Sequence, residues 1–221
     1  MSHDHHHQHD HDHDHDHADE HLAQEDNDLT LTTGEAKFIA LRAMLIEKGI
    51  ITGEEVRKRL EFNDGATPHQ GARMVARAWV DPEYKMRMLA DGKKAAIELG
   101  IDVVEAEIMV IKNTINIHNL VVCTLCSCYP RSLLGEPPAW YVSKAYRSRA
   151  VREPRAVMQE FGLTFPKDVE VRVHDSNADL RYLILPIRPS GTDQLSENEL
   201  ANLVSRDCLV GMALPRTNSL P

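Results

Sequence analysis

The 221-residue sequence predicts an α+β protein in which an extended N-terminal helical arm precedes a layered α/β domain, helices packed on strands, carrying a candidate metal loop. Three observations predict it. Helix-opening signals crowd the stretch from Thr32 to Gly100, and short aliphatic and β-branched runs take over from Ile108. Three of the four cysteines then fall within residues 123–128.

Taken in order, residues 1–28 alternate His and Asp and are too polar to fold alone, which predicts a disordered tail. The tail reads equally as a metal-gathering arm, since imidazoles beside carboxylates bind Co²⁺, Ni²⁺ or Zn²⁺, and as a solvated leader. Thr32-Thr33-Gly34-Glu35 reads as a capping box opening a helix through Lys48, closed by Gly49. Thr52-x-x-Glu55 repeats that signature for a second helix through Glu61. The first of these is apolar around much of its circumference (Phe38, Ile39, Leu41, Met44, Leu45, Ile46), so it needs cover on more than one side, from its own core or from another subunit.

Thr67-Pro68 and Asp81-Pro82 each place Pro at the first position of a helix, and Asp91 opens another that ends before Gly100. Strands are predicted around Ile108-Met109-Val110-Ile111, Asn119-Leu120-Val121-Val122, Val169 to Val173 and Arg181 to Leu185. Helical sequence runs between them from Pro138 to Phe161, with a break near Pro154 and a stop at Gly162. Ser196-x-x-Glu199 caps a further helix, and residues 208–213 read as a returning strand. The expected organisation is a tail (1–28), a helical arm that docks on a partner subunit (29–66) and a metal-binding catalytic α/β domain (67–221).

Composition excludes several classes. No run approaches the ~18 apolar residues of a membrane span. The net charge of −9 belongs to the tail, which holds ten of the 34 acidic residues, ten of the 13 histidines and no Lys or Arg. The remaining 24 acidic residues face 25 basic ones, so the folded part has no basic footprint for nucleic acid. Four cysteines without a signal or transit peptide predict the cytoplasm. Neither Gly-x-Gly-x-x-Gly, a Walker loop nor Gly-x-Ser-x-Gly occurs. His118, Asp175 and Ser176 assemble into a triad only on paper, as isolated polar groups at strand ends.

The chemistry gathers at Cys123-Thr124-Leu125-Cys126-Ser127-Cys128, directly after an apolar run. A loop curled tightly here turns three sulfurs inward, with the peptide nitrogens of Ser127 and Cys128 drawn toward the same point. Deprotonated amide nitrogen needs a strongly polarising ion such as Co(III) or Fe(III), and thiolate softness excludes Mg and Ca. Two other readings stand beside this one. A Cys-x-x-Cys redox dithiol usually opens a helix, whereas Tyr129-Pro130 follows here. Structural zinc needs a fourth ligand, which only His118 or Cys208 offers. Neighbours this close do not form disulfides.

Residues 122–130 resemble the α subunit of nitrile hydratase and are similar to the related γ subunit of thiocyanate hydrolase. The likeness extends from residue 41 to 214, through Gly71 to Trp79, Asp81 to Lys85, Tyr146-Arg147-Ser148-Arg149, Arg188 to Asp193 and Arg206 to Gly211. The resemblance implies a non-corrin, low-spin trivalent metal held by the thiolates of Cys123, Cys126 and Cys128 and by the amide nitrogens of Ser127 and Cys128. Thr124 and Tyr129 resemble the cobalt branch rather than the iron branch. It also implies Cys126 oxidised to sulfinate and Cys128 to sulfenate, the latter attacking the substrate carbon directly or activating a water, with Ser127 and partner groups orienting it. A β-type partner subunit in a hetero-oligomer, a metallochaperone or activator, and a small nitrile or thiocyanate substrate complete the implied picture. Cys208 lies outside the loop and reads as a core residue.

Departures from the family pattern bear on the substrate. The usual pocket Gln is missing or replaced by Glu105, Arg131 replaces the usual Trp after Tyr129-Pro130, and His174-Asp175 replaces Trp-Asp. Arg131 and Asp175-Ser176-Asn177 look more like thiocyanate hydrolase, and a cation there suits an anionic substrate or a surface ion pair. The short stretch between Gly100 and His118 looks more like nitrile hydratase. Nitrile hydration is the first reading, thiocyanate hydrolysis to carbonyl sulfide and ammonia the second, and a non-catalytic metal-binding or delivery protein the third.

Overall fold

The structure, a computed structural model, describes residues 33–56, 66–126 and 128–216. The chain divides into two compact units, Met1–Ile51 and Thr52–Pro221. In the first, helix α1 spans Thr33–Glu47. Gly49 closes it with φ of 64°, and the Ile50 N–H returns to the Leu45 carbonyl at 3.0 Å. Its predicted cap at Thr32 lies outside the described residues, as does the tail. Phe38, Leu41 and Met44 on this helix are 64%, 52% and 48% exposed.

The second unit opens on the predicted cap. Thr52 Oγ1 accepts the Glu55 N–H at 3.1 Å while Glu55 Oε2 accepts the Thr52 N–H at 2.7 Å. The helix begins there, and its course beyond Val56 lies outside the described residues. Helices α2 (Pro68–Val80), α3 (Pro82–Ala90) and α4 (Gly92–Glu98) follow almost without linkers. Each junction is an aspartate. Asp81 Oδ1 accepts from the N–H groups of Glu83 and Tyr84, and Asp91 Oδ1 accepts from that of Lys94.

Strands β1 (Glu107–Lys112), β2 (Ile117–Val122), β3 (Glu170–Asp175) and β4 (Leu180–Leu185) lie where predicted. They form two parallel pairs, β1 with β4 and β2 with β3. Leu120, Val121 and Val122 are wholly buried, as expected for a parallel strand covered on both faces. Gly92 lets α4 settle on β1, because a Cβ there would meet the Ile108 carbonyl oxygen at 2.7 Å.

Between β2 and β3 run α5 (Arg131–Leu134), α6 (Ala139–Val142), α7 (Lys144–Arg152) and α8 (Pro154–Glu160). The predicted helical stretch thus breaks once more than expected, at Ser143, whose hydroxyl caps α7 by accepting the Tyr146 N–H at 3.1 Å. Helix α5 was not predicted. Pro130 sits at its N-cap, where proline is tolerated. After β4 come α9 (Glu197–Asn202), with the full Ser196–Glu199 capping box, and α10 (Arg206–Val210). Helix α10 corrects the predicted strand at residues 208–213. Ser205 caps it, accepting from the Cys208 N–H, and Gly211 ends it at φ of 88°. Any side chain at Gly211 would collide with the Asn119 carbonyl, so the turn brings this helix hard against β2. Among the described residues no helix is long and apolar enough to cross a membrane.

Candidate metal centre

The loop leaves the carboxyl end of β2 and gathers its sulfurs. Cys123 and Cys126 Sγ lie 3.3 Å apart, Cys126 and Cys128 Sγ 3.0 Å apart, and all three fall within 4.8 Å of one another. Cys123 is buried, Cys128 partly so and Cys126 exposed, so the cluster opens on one side. The Cys126 N–H points at Cys123 Sγ at 3.2 Å, which shows how tightly the chain curls. Ser127 lies outside the described residues.

Neighbouring elements fix the backbone of this curl. At its entry, Asp175 at the end of β3 accepts the Thr124 N–H at 2.9 Å and the Thr124 hydroxyl at 2.6 Å. Register explains the placement, since Asp175 pairs with Val122, the last strand residue before the loop. Arg147 on α7 donates to the Thr124 carbonyl at 3.3 Å. Beneath the loop the Tyr146 hydroxyl donates to the Val121 carbonyl at 2.7 Å, and the Tyr141 hydroxyl to the Cys128 carbonyl at 2.9 Å. Burial pushes both phenols up from their ordinary range, so they stay protonated donors. Tyr129 packs edge-on against Tyr141 with centroids 4.9 Å apart, closing the floor.

Electrostatics make the cluster receptive to a cation. Burial first, then the adjacent sulfurs of Cys126 and Cys123, push the Cys128 thiol up to about 12, with Arg181 pulling the other way. The crowded sulfurs thus disfavour a thiolate at Cys128, and a bound cation would remove that resistance by displacing the proton. The donor set fits a soft, thiolate-preferring transition metal. It does not make a closed, four-residue structural zinc site, because among the described residues the three cysteines stand together with no fourth His, Cys, Asp or Glu.

The other sequence candidates lie elsewhere. His118 is buried with its Nε2 on the Gly211 carbonyl at 2.7 Å and its ring against Phe165. Cys208 is buried in the core, its sulfur 3.2 Å from Ser205 Oγ. No triad forms, since the Asp175 carboxylate is engaged by Thr124 and Ser176 Oγ faces the Tyr182 N–H. Arg131 is ion-paired with Glu136 at 3.0 Å, both largely exposed. Glu105 is turned inward onto Ser132. Sequence reasoning missed the Thr124–Asp175 contact. Its partners are 51 residues apart, and only strand register brings them together.

The sequence matches the family described as "Nitrile hydratase, alpha chain" over residues 32–213. It is 49% identical over 186 residues to the low-molecular weight cobalt-containing nitrile hydratase subunit alpha of Rhodococcus rhodochrous, covering 83% of this chain and 90% of that one. It is 43% identical over 190 residues to the thiocyanate hydrolase subunit gamma of Thiobacillus thioparus, covering 80% and 78% respectively. The fold superposes on a recombinant thiocyanate hydrolase comprising partially-modified cobalt centers with a TM-score of 0.80 at 41% identity, covering 85% of this chain and 92% of that one. A sulfur-lined loop and a likeness spanning most of the sequence lead to one assignment: this chain belongs to the nitrile hydratase α-chain family.

Proposed function

We propose that this chain is the metal-binding α-type subunit of a cobalt enzyme that hydrates a nitrile to its amide. The single observation behind this reading is the convergence of three cysteine sulfurs within 4.8 Å on one anchored loop. Cys123, Cys126 and Cys128 would hold the ion through sulfur, and the amide nitrogens of Ser127 and Cys128 would complete the protein's share. Bound there, Co(III) supplies the Lewis acidity that leaves a nitrile carbon electron-poor.

The chain's own residues do the rest. Cys123, the buried sulfur, anchors the loop to β2, and Asp175 and Arg147 hold Thr124 so that the curl keeps its shape. Cys126 carries a sulfinate and Cys128 a sulfenate, consistent with the exposure of the first and the open side of the cluster. The Cys128 oxygen takes a proton from a water attacking the nitrile carbon, or attacks that carbon itself and is restored when water cleaves the resulting S–O–C link; the Ser127 hydroxyl orients the nucleophile. One water adds across the C≡N bond to give the amide.

A β-type subunit completes the pocket in a hetero-oligomer, with the arm of residues 29–66 lying on it. The exposed apolar side chains of α1 support this part of the reading. A separate activator delivers the metal, and four free cysteines suit a reducing cytoplasm.

Arg131 keeps a second reading in view, hydrolysis of thiocyanate, because a cation beside the loop would draw an anion. Its ion pair with Glu136 offsets that charge and favours the neutral nitrile. The test is turnover by the purified complex of an aliphatic nitrile, an aromatic nitrile and thiocyanate. Amide from either nitrile is the expected result. Carbonyl sulfide from thiocyanate alone would replace the first reading with the second, and no turnover of any of the three would overturn both.

A further inference from the structure

We infer that Glu105 and Asp175 are positioning residues, a pair of carboxylate clasps that fix the two ends of the cysteine loop and so set the spacing of its sulfurs. This rests on the loop being the metal site. It assigns the shape of that site to the fold, in addition to whatever the ion itself imposes.

The entry clasp is Asp175, with one carboxylate oxygen on the Thr124 N–H and the other on its hydroxyl. Asp175 is itself held in place. The next residue, Ser176, donates its N–H to the Val122 carbonyl at 2.7 Å, and the preceding His174 reaches Asn119 Oδ1 across the strand pair at 2.8 Å. The end of β3 is therefore pinned to the end of β2 on both sides of the clasp.

Glu105 forms the exit clasp. It is only 8% exposed, and among the described residues no basic side chain is hydrogen-bonded to its carboxylate. Its two oxygens take the Ser132 N–H at 3.0 Å and the Ser132 hydroxyl at 2.5 Å. Ser132 Oγ in turn accepts the Val104 N–H at 3.1 Å, and Lys93 donates to the Glu105 carbonyl at 2.6 Å. A buried carboxylate is costly unless its acceptors are filled, so this segment has a strong reason to hold one geometry. Ser132 lies four residues after Cys128, with the buried Tyr129 and Pro130 between, so the geometry is passed to the end of the loop.

The two clasps use the same device, a carboxylate accepting the backbone N–H and the hydroxyl of one Ser or Thr. They come from parts of the chain 70 residues apart in sequence and hold it on either side of the three cysteines. Residues that orient metal ligands from the next layer out typically change metal affinity by about 10–100-fold when lost.

The test uses the chain co-expressed with its partner subunit in medium containing Co²⁺. Cobalt per chain, the rate at which a chelator strips it, and the sulfur-to-cobalt charge-transfer absorption are compared for wild type, Glu105→Ala, Asp175→Ala, Glu105→Gln and Asp175→Asn. Both alanine variants are expected to lose cobalt about 10–100-fold faster, with a shifted absorption band. The amide variants, which can still accept the N–H, are expected to recover most of the retention. Thr124→Val, at an exposed position, removes one clasp bond without burying a charge, and an intermediate loss rate is expected if an alanine variant fails to fold. Wild-type retention and an unshifted band in the folded alanine variants would overturn the clasps while leaving the metal site intact. Where Asp175→Ala does not fold, the same result in Thr124→Val would overturn the Asp175 clasp, and where Glu105→Ala does not fold, the same result in Ser132→Ala would overturn the Glu105 clasp. Failure of the wild type itself to retain cobalt would overturn the metal reading on which they rest.

Discussion

Helix α1 and the cysteine loop are incomplete in opposite ways. The helix presents Phe38, Ile39, Leu41 and Met44 to solvent, an apolar surface that any complementary apolar surface can cover. In contrast, the loop draws three sulfurs together, a donor set that an ion of matching softness and charge would complete. Their surroundings differ as well. The helix is stabilised by its own backbone bonds and a glycine stop, whereas Asp175, Arg147, Tyr141 and Tyr146 converge on the backbone of the loop or of the strand leading to it. The difference teaches where specificity is built: into directional bonds around the metal loop, and into bulk apolar area on the arm.

Breaking the loop is expected to have the largest effect. Cys126→Ala removes the central sulfur, and cobalt should fall to background by elemental analysis while circular dichroism stays near wild type. Breaking the arm comes next. Phe38→Glu with Met44→Glu should weaken co-purification of the partner subunit by about tenfold or more, the scale of losing an apolar anchor at an interface. Unchanged co-purification would remove the arm from the proposed interface.

A smaller effect separates the loop cysteines from the fourth. Cys208→Ala should leave cobalt content unchanged and cost roughly 1–2 kcal/mol in chemical denaturation, because only core packing is lost. The smallest concerns pH. Burial holds His118 below its ordinary value of 6.5, so the folded state binds its proton less readily than the unfolded chain. Its contribution is therefore intact above pH 6.5 and is lost as pH falls below that value. Melting temperature should drop from pH 7.5 to pH 5.5, and His118→Gln should flatten that dependence.

Much of this was legible in the sequence because it is local. The Thr52–Glu55 and Ser196–Glu199 boxes, the Asp-Pro junction at Asp81 and the four strands each declare themselves within a few residues. The cysteine cluster did so for the same reason. What escaped depends on distant partners. Residues 208–213 carry a strand-like apolar run, yet Ser205 and Gly211 bound a single turn of helix that packs against β2. Spacing leaves open whether Glu105 replaces a pocket Gln, and Ser132, 27 residues away, turns it inward. Asp175 meets Thr124 only because β3 pairs in parallel with β2, and strand partners are not written in local spacing.

The most direct test of the metal centre is metal analysis combined with intact-peptide mass spectrometry on the purified complex. Tightly held cobalt, with two added oxygens on Cys126 and one on Cys128, is the expected result. Labile zinc or nickel on three unmodified thiols would contradict it.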